Sequence, residues 1–233
     1  MSQQQVWQDG IRWFKLQFGP AIQNATNGSP FHLDFITAIA MQESFEVWGR
    51  AYKTKTPAEV LDVCTGDIID APGRSAFPKN RAALEAVPNG PQMFQIARNA
   101  FVAMAQVATE YQKYVANPDK FCHAFGIFQY DIQEFQRDSA FFLNQDWGSF
   151  QNCMTKCLAE LNAKWQVVYP HKKTLDDTEL FYVAVAYNCG RADLGKSYRD
   201  QGFVSDGKHY GAWIEDFTTL SRNTPAAPTP AEV

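Results

Sequence analysis

FHLDFITAIAMQES, residues 31 to 44, is apolar on most of its helical faces and ends beside a carboxylate, Glu43. A helix that is apolar all round is one buried at the centre of a domain. Working outward, helical periodicity dominates. Trp7, Ile11, Phe14 and Phe18 repeat at spacings of four and three, and Gly19-Pro20 then predicts a stop. Met93, Ala97, Phe101, Met104, Ala108, Tyr111 and Val115 mark the inner face of the longest expected helix, 92–116, ended by Asn117-Pro118. Phe150, Cys153, Cys157, Leu161 and Trp165 form the stripe of another over 149–167. Asp176 and Glu179 fit a capping box for a helix through LFYVAVAYN that ends at Gly190. Tyr210, Trp213, Ile214, Phe217 and Leu220 line a last helix.

The pattern is that of a mainly α chain whose residues 1–222 form one domain. A loop-rich insert over 49–91, punctuated by proline and glycine, leaves room for a small β-hairpin. The Pro/Ala-rich segment 223–233 reads as a tail, or as a linker to further domains. Among the 233 residues, Asp and Glu outnumber Lys and Arg by a net charge of −4, with no dense basic cluster. That argues against nucleic acid or an anionic membrane as the main partner. No apolar run is long enough to cross a bilayer, so membrane insertion is not expected. MSQQQVWQDG lacks the basic start and apolar stretch of a signal peptide. The five cysteines, Cys64, Cys122, Cys153, Cys157 and Cys189, cannot all pair within one chain. Buried thiols are the leading reading; one or two disulfides, or a metal held by Cys153 and Cys157 with Cys122 and His123, are the alternatives.

Glu43 carries the chemistry. Desolvation at the end of an apolar helix and the negative end of the helix dipole both push its pKa upward. A carboxyl still protonated near neutral pH can give its proton to a leaving oxygen, the service that cleavage of a glycosidic bond requires. The plainer alternative is a helix-end carboxylate that reaches solvent. Two further stretches bear on the choice: FGIFQY at 125–130 and AYNCG at 186–190. AIAMQES resembles the Glu-Ser motif of lytic transglycosylases and goose-type lysozymes. FGIFQY resembles their Gly-Leu-Met-Gln motif, and AYNCG their Ala-Tyr-Asn-Ala-Gly motif. The three occur in the family's order and cover short segments and the helices around them. The resemblance implies a lysozyme-like helical fold and cleavage of the β-1,4 bond between N-acetylmuramic acid and N-acetylglucosamine in peptidoglycan glycan strands.

The resemblance also implies roles. Glu43 would be the catalytic acid and then base, with Ser44 orienting it or touching substrate. Gly126 would let a sugar approach the backbone, Ile127 and Phe128 would wall the sugar's ring faces, and Gln129 would hydrogen-bond the substrate. Tyr187 would bring its hydroxyl toward Glu43, and Asn188 would brace the loop or contact sugar. Gln129 as an amide that ties down a loop, and Tyr187 as a core aromatic, are the structural alternatives. The chain departs from the family in a much longer segment between Glu43 and Gly126, in His123 where a small residue is usual, and in Cys189 for alanine. A second carboxylate usually helps a hydrolase, as nucleophile or as base for the water, and Asp62, Asp67 and Asp70 in the insert are candidates, Asp67 and Asp70 foremost. Aspartates are also common in turns. A transglycosylase needs only one acid/base, because the muramic 6-hydroxyl attacks internally. The acidic insert tilts the reading toward hydrolysis.

Rival classes are a chitinase or chitosanase, a non-catalytic glycan-binding module, and a thiol hydrolase built on Cys122 or Cys189 with His123, His171 or His209. The expected chemistry requires no metal or organic cofactor. The site of action would be the cell wall, in the periplasm or outside the cell, reached as a phage-type lysin, a secretion-system effector or a domain of a larger exported protein. An effector would be matched by a cognate inhibitor in the producing cell.

Overall fold

The computed structural model describes residues 2–226. In chain order its helices are α1 (Gln3–Ala25), α2 (Leu33–Ala51), α3 (Pro57–Val63), α4 (Arg81–Glu85), α5 (Gly90–Val107), α6 (Gln112–Val115), α7 (Ser139–Leu143), α8 (Phe150–Val168), α9 (Asp177–Cys189) and α10 (Tyr210–Arg222). The strands are two residues each: β1 (Thr65–Gly66), β2 (Ala124–Phe125), β3 (Tyr130–Asp131), β4 (Val204–Ser205) and β5 (Lys208–His209). The chain is therefore mainly α, as the periodicity predicts. Its contacts group the chain into two compact units. One comprises the chain up to Glu43 and from Met154 onward; the other is Ser44–Cys153.

In the first unit, Phe35 to Met41 of α2 are all buried, which fulfils the reading of residues 31–44 as a central helix. α10 packs on α9 and α1. Trp7 meets Trp213 and Phe217 edge-on, at ring-centroid distances of 5.8 and 5.3 Å. Lys15 is buried beneath the end of α10, where its ammonium donates to the carbonyls of Ser221 and Thr224 and pairs with Asp34 at 2.7 Å. A cation there answers the negative end of the helix dipole. Thr224 is itself buried, so the fold extends past 222; the remainder of the expected tail, from 227, lies outside the described residues.

α1 does not stop at Gly19-Pro20 but runs on to Ala25. Proline removes one helical N–H, and the carbonyl left over belongs to Leu16, an exposed residue at which water can replace the lost donor. Ile22, two residues after Pro20, is fully buried and holds the last turn down. α9 has the expected capping box at Asp176 and Glu179, and it ends at Gly190 with φ +85°.

The second unit gathers α3, α4, α7 and β1 around α5. The helix expected over 92–116 breaks at Ala108, giving α5 and the short α6. Beyond the break, Glu110 takes both arms of the Arg50 guanidinium, at 2.5 and 2.7 Å. Arg98 closes the end of α6 by donating to the carbonyls of Val115 and Lys120. The hairpin forms outside the expected insert. β2 and β3 pair antiparallel at 124–131, and β1 from the insert adds to β2 as a third strand.

Candidate active site

The first unit holds an acid centre. The Tyr210 hydroxyl donates to Glu43 Oε1 at 2.6 Å. Glu43 is partly open to solvent, yet its carboxyl is crowded by protein on most sides. That desolvation raises its pKa to about 7, against the pull of the Tyr210 bond, which favours the charged form. The helix dipole is not the cause. α2 continues to Ala51, so Glu43 stands two turns before the end, beyond the reach of a terminal dipole.

Tyr187 joins the same cluster. Burial pushes its hydroxyl pKa well up, and neighbouring Cys157 and Glu43 add to the rise. Glu43 also takes the hydroxyl of Tyr210, which the sequence alone places only in the apolar stripe of α10. One signal for it was available: a buried tyrosine needs a partner for its O–H, and tyrosine was the only hydroxyl-bearing member of that stripe. Asn188 braces a loop, accepting from Phe203 N–H at 2.9 Å. Gln42, beside the acid, donates to Ser205 Oγ at 3.2 Å.

The second unit begins at Ser44, whose hydroxyl donates to the Ile127 carbonyl at 2.6 Å. Ile127 lies in the turn that joins β2 to β3. Gly126 opens that turn at φ +80°, and a Cβ there would lie 2.5 Å from Cys153 Sγ. The space above Gly126 is thus filled by protein rather than held open for a sugar, which corrects the expected role. Ile127 and Phe128 are buried too, Phe128 against Phe150, so neither walls a sugar. Gln129 donates through Nε2 to the Gly126 carbonyl at 2.7 Å, and its Oε1 lies against Gly66. Its amide ties down the β2–β3 turn and packs against β1, the loop-tying alternative for this residue.

Asp67 and Asp70 belong to the insert's own framework. Buried Arg74 takes Asp67 Oδ2 at 3.0 Å and Asp131 Oδ1 at 2.5 Å, while Lys120 takes Asp70 Oδ2 at 2.8 Å. His123 is fully buried behind them and donates from Nδ1 to the Asp67 carbonyl at 2.9 Å. Its Nε2 and Asp70 Oδ1, 3.8 Å apart, are both buried without a hydrogen-bond partner. Burial holds the His123 pKa below its ordinary value.

The described cysteines are free thiols, buried at 64, 122, 153 and 157 and exposed at 189. Cys122 donates to Thr65 Oγ1, and burial pushes its pKa to about 12, the opposite of an activated thiolate. Cys189 directs its thiol to the carbonyls of Val185 and Arg191. Among the described residues there is no cluster of three or more His, Cys, Asp or Glu placed to hold a metal, and no helix long and apolar enough to cross a membrane. Comparison with protein-family models, with curated proteins and with solved structures finds no match for this chain.

Proposed function

We propose that the chain is a lysozyme-like enzyme that cleaves the β-1,4 bond between N-acetylmuramic acid and N-acetylglucosamine in peptidoglycan, with Glu43 as its acid. The observation that carries this reading is the Glu43 carboxyl, raised to about pKa 7 by burial and held by the Tyr210 hydroxyl at 2.6 Å. A group poised near neutrality can give a proton and then take one back in the same cycle. The resemblance of AIAMQES, FGIFQY and AYNCG to the motifs of lytic transglycosylases and goose-type lysozymes supplies the bond.

A specific observation favours the transglycosylase route over the hydrolysis that the acidic insert suggested. Asp67 and Asp70, the foremost candidates for a second carboxylate, are engaged by Arg74 and Lys120. With one acid/base, Glu43 protonates the glycosidic oxygen as the C1–O bond breaks. The resulting carboxylate then takes the proton of the muramic 6-hydroxyl as O6 closes onto C1. The product is a 1,6-anhydro sugar, one water lighter than the hydrolysis product. The place of action would be the cell wall.

The test is mass analysis of products released from purified sacculi. Anhydro-muropeptides are expected from the wild type. Glu43→Gln should cut turnover by about 100- to 10,000-fold while glycan binding persists. Reducing ends would return the reading to a hydrolase. Cleavage of chitin or chitosan but not sacculi would replace the substrate. Binding without cleavage by the wild type would make the chain a glycan-binding module.

A further inference from the structure

Phe203 is 74% exposed, the most exposed large apolar side chain among the described residues. Its backbone is nevertheless fixed on both sides. Its N–H donates to Asn188 Oδ1, and its carbonyl accepts from Tyr210 N–H, each at 2.9 Å. Gly202 just before it has φ +87°, and a Cβ there would lie 2.6 Å from Tyr210 Cβ, so the loop presses directly on that tyrosine. The hairpin that follows is fastened as well: Ser205 receives Gln42 through Oγ and Trp213 through its carbonyl. The aromatic ring is thus held out to solvent on a braced loop, a costly arrangement for an apolar surface unless something covers it.

The loop's anchors identify what would cover it. Tyr210 grips the Phe203 carbonyl with its backbone and Glu43 with its hydroxyl. Gln42 precedes Glu43, and Asn188 follows Tyr187. Phe203 is therefore built into the frame that holds the acid: one tyrosine, hydrogen-bonded at both ends, joins its carbonyl to Glu43. A surface hollow of about 580 Å³ is lined by Arg191, Lys196, Gln201 and Gly202 among others, which puts hydrogen-bonding groups on the stretch of chain that leads into Phe203. An apolar face edged by hydrogen-bonding groups matches a pyranose, whose ring faces are C–H and whose edges are hydroxyls.

Resting on the reading of Glu43 as the acid, we infer that Phe203 is a platform on which one sugar ring of the glycan strand stacks, and that it sets how tightly the strand is held beside Glu43. The experiment uses the full chain and soluble, uncrosslinked glycan strands prepared from sacculi. Phe203→Ala should raise KM about five- to tenfold, with kcat changed less than twofold and the melting temperature unmoved, because the side chain is exposed. Phe203→Trp should restore KM. In the Glu43→Gln background, calorimetry should show the same weakening on adding Phe203→Ala. Unchanged KM and affinity in Phe203→Ala, with the wild type active, would overturn the platform and leave the acid intact. A wild type that cleaves no glycan would instead remove the reading beneath it.

Discussion

At Glu43 two influences oppose each other: burial favours the protonated acid, and the Tyr210 hydroxyl favours the carboxylate. Their balance near 7 predicts the pH dependence of glycan cleavage. The donating form is the protonated one, so kcat/KM should fall as pH rises through about 7. Removing the tyrosine hydroxyl removes the influence that favours the charge. Tyr210→Phe should therefore move this limb upward by about one pH unit, a charged hydrogen bond being worth about that much. A pH profile of wild type and variant checks both statements. An unmoved limb would mean that Tyr210 does not act on the proton of Glu43. Tyr187→Phe is expected to shift the limb less, because the Tyr210 hydroxyl is the group whose hydrogen bond lowers the Glu43 pKa.

At the scale of elements, two glycines separate backbone demand from packing demand. Gly190 closes α9 at φ +85° with open space where a Cβ would go. Gly190→Ala should cost about 1 kcal/mol, the backbone penalty alone. Gly126 has a similar φ of +80°, but its Cβ would meet Cys153 Sγ at 2.5 Å and Trp147 Cβ at 3.3 Å. Gly126→Ala should cost about 3 kcal/mol, since overpacking adds to the same penalty. Urea denaturation of the two variants measures the difference, and equal losses would show that the turn yields around Cys153. The same elements show what was legible in the sequence. α8, α9 and α10 are read correctly because their apolar stripes and caps are local signals, whereas α2 is read as central but runs on past Glu43 to Ala51. The fate of Pro20 was not legible, since it depends on Leu16 being at the surface and Ile22 being buried. The break at Ala108 depends on Glu110 finding Arg50, sixty residues away. The candidate site divides likewise: Glu43 stands out within its own helix, whereas Tyr210 becomes its partner only through a contact 167 residues long. Gln129 and Phe128 looked like surface chemistry because sequence spacing does not report which face of a turn is filled.

For the whole molecule, stability against pH is shaped by two buried groups whose effects have opposite sign. Glu43 has a folded pKa of about 7 against an ordinary value of 4.5. The folded state binds its proton more tightly, so this contribution is full below 4.5 and is lost as pH rises through 7. His123 has a folded pKa below its ordinary 6.5. There the unfolded state binds the proton more tightly, so stability is lost as pH falls below 6.5. Each group bends the curve by at most about 1.4 kcal/mol per pH unit. Glu43→Gln should accordingly be more stable than the wild type at pH 8, by on the order of 2 kcal/mol, with the gain gone at pH 4. His123→Asn keeps a donor for the Asp67 carbonyl but does not titrate. It should leave the Glu43 slope unopposed, so that stability falls more steeply with rising pH between 5 and 6.5, a window above the range in which paired carboxylates such as Asp34 and Asp177 protonate. Urea unfolding at half-unit steps from pH 4 to 8 yields both slopes at once. Because the two effects oppose each other between 4.5 and 6.5, the wild-type curve should be flatter there than that of either variant. A wild-type curve as steep as that of Glu43→Gln across this range would show that Glu43 holds no extra proton in the folded chain, and the acid assigned to it would fall with that result.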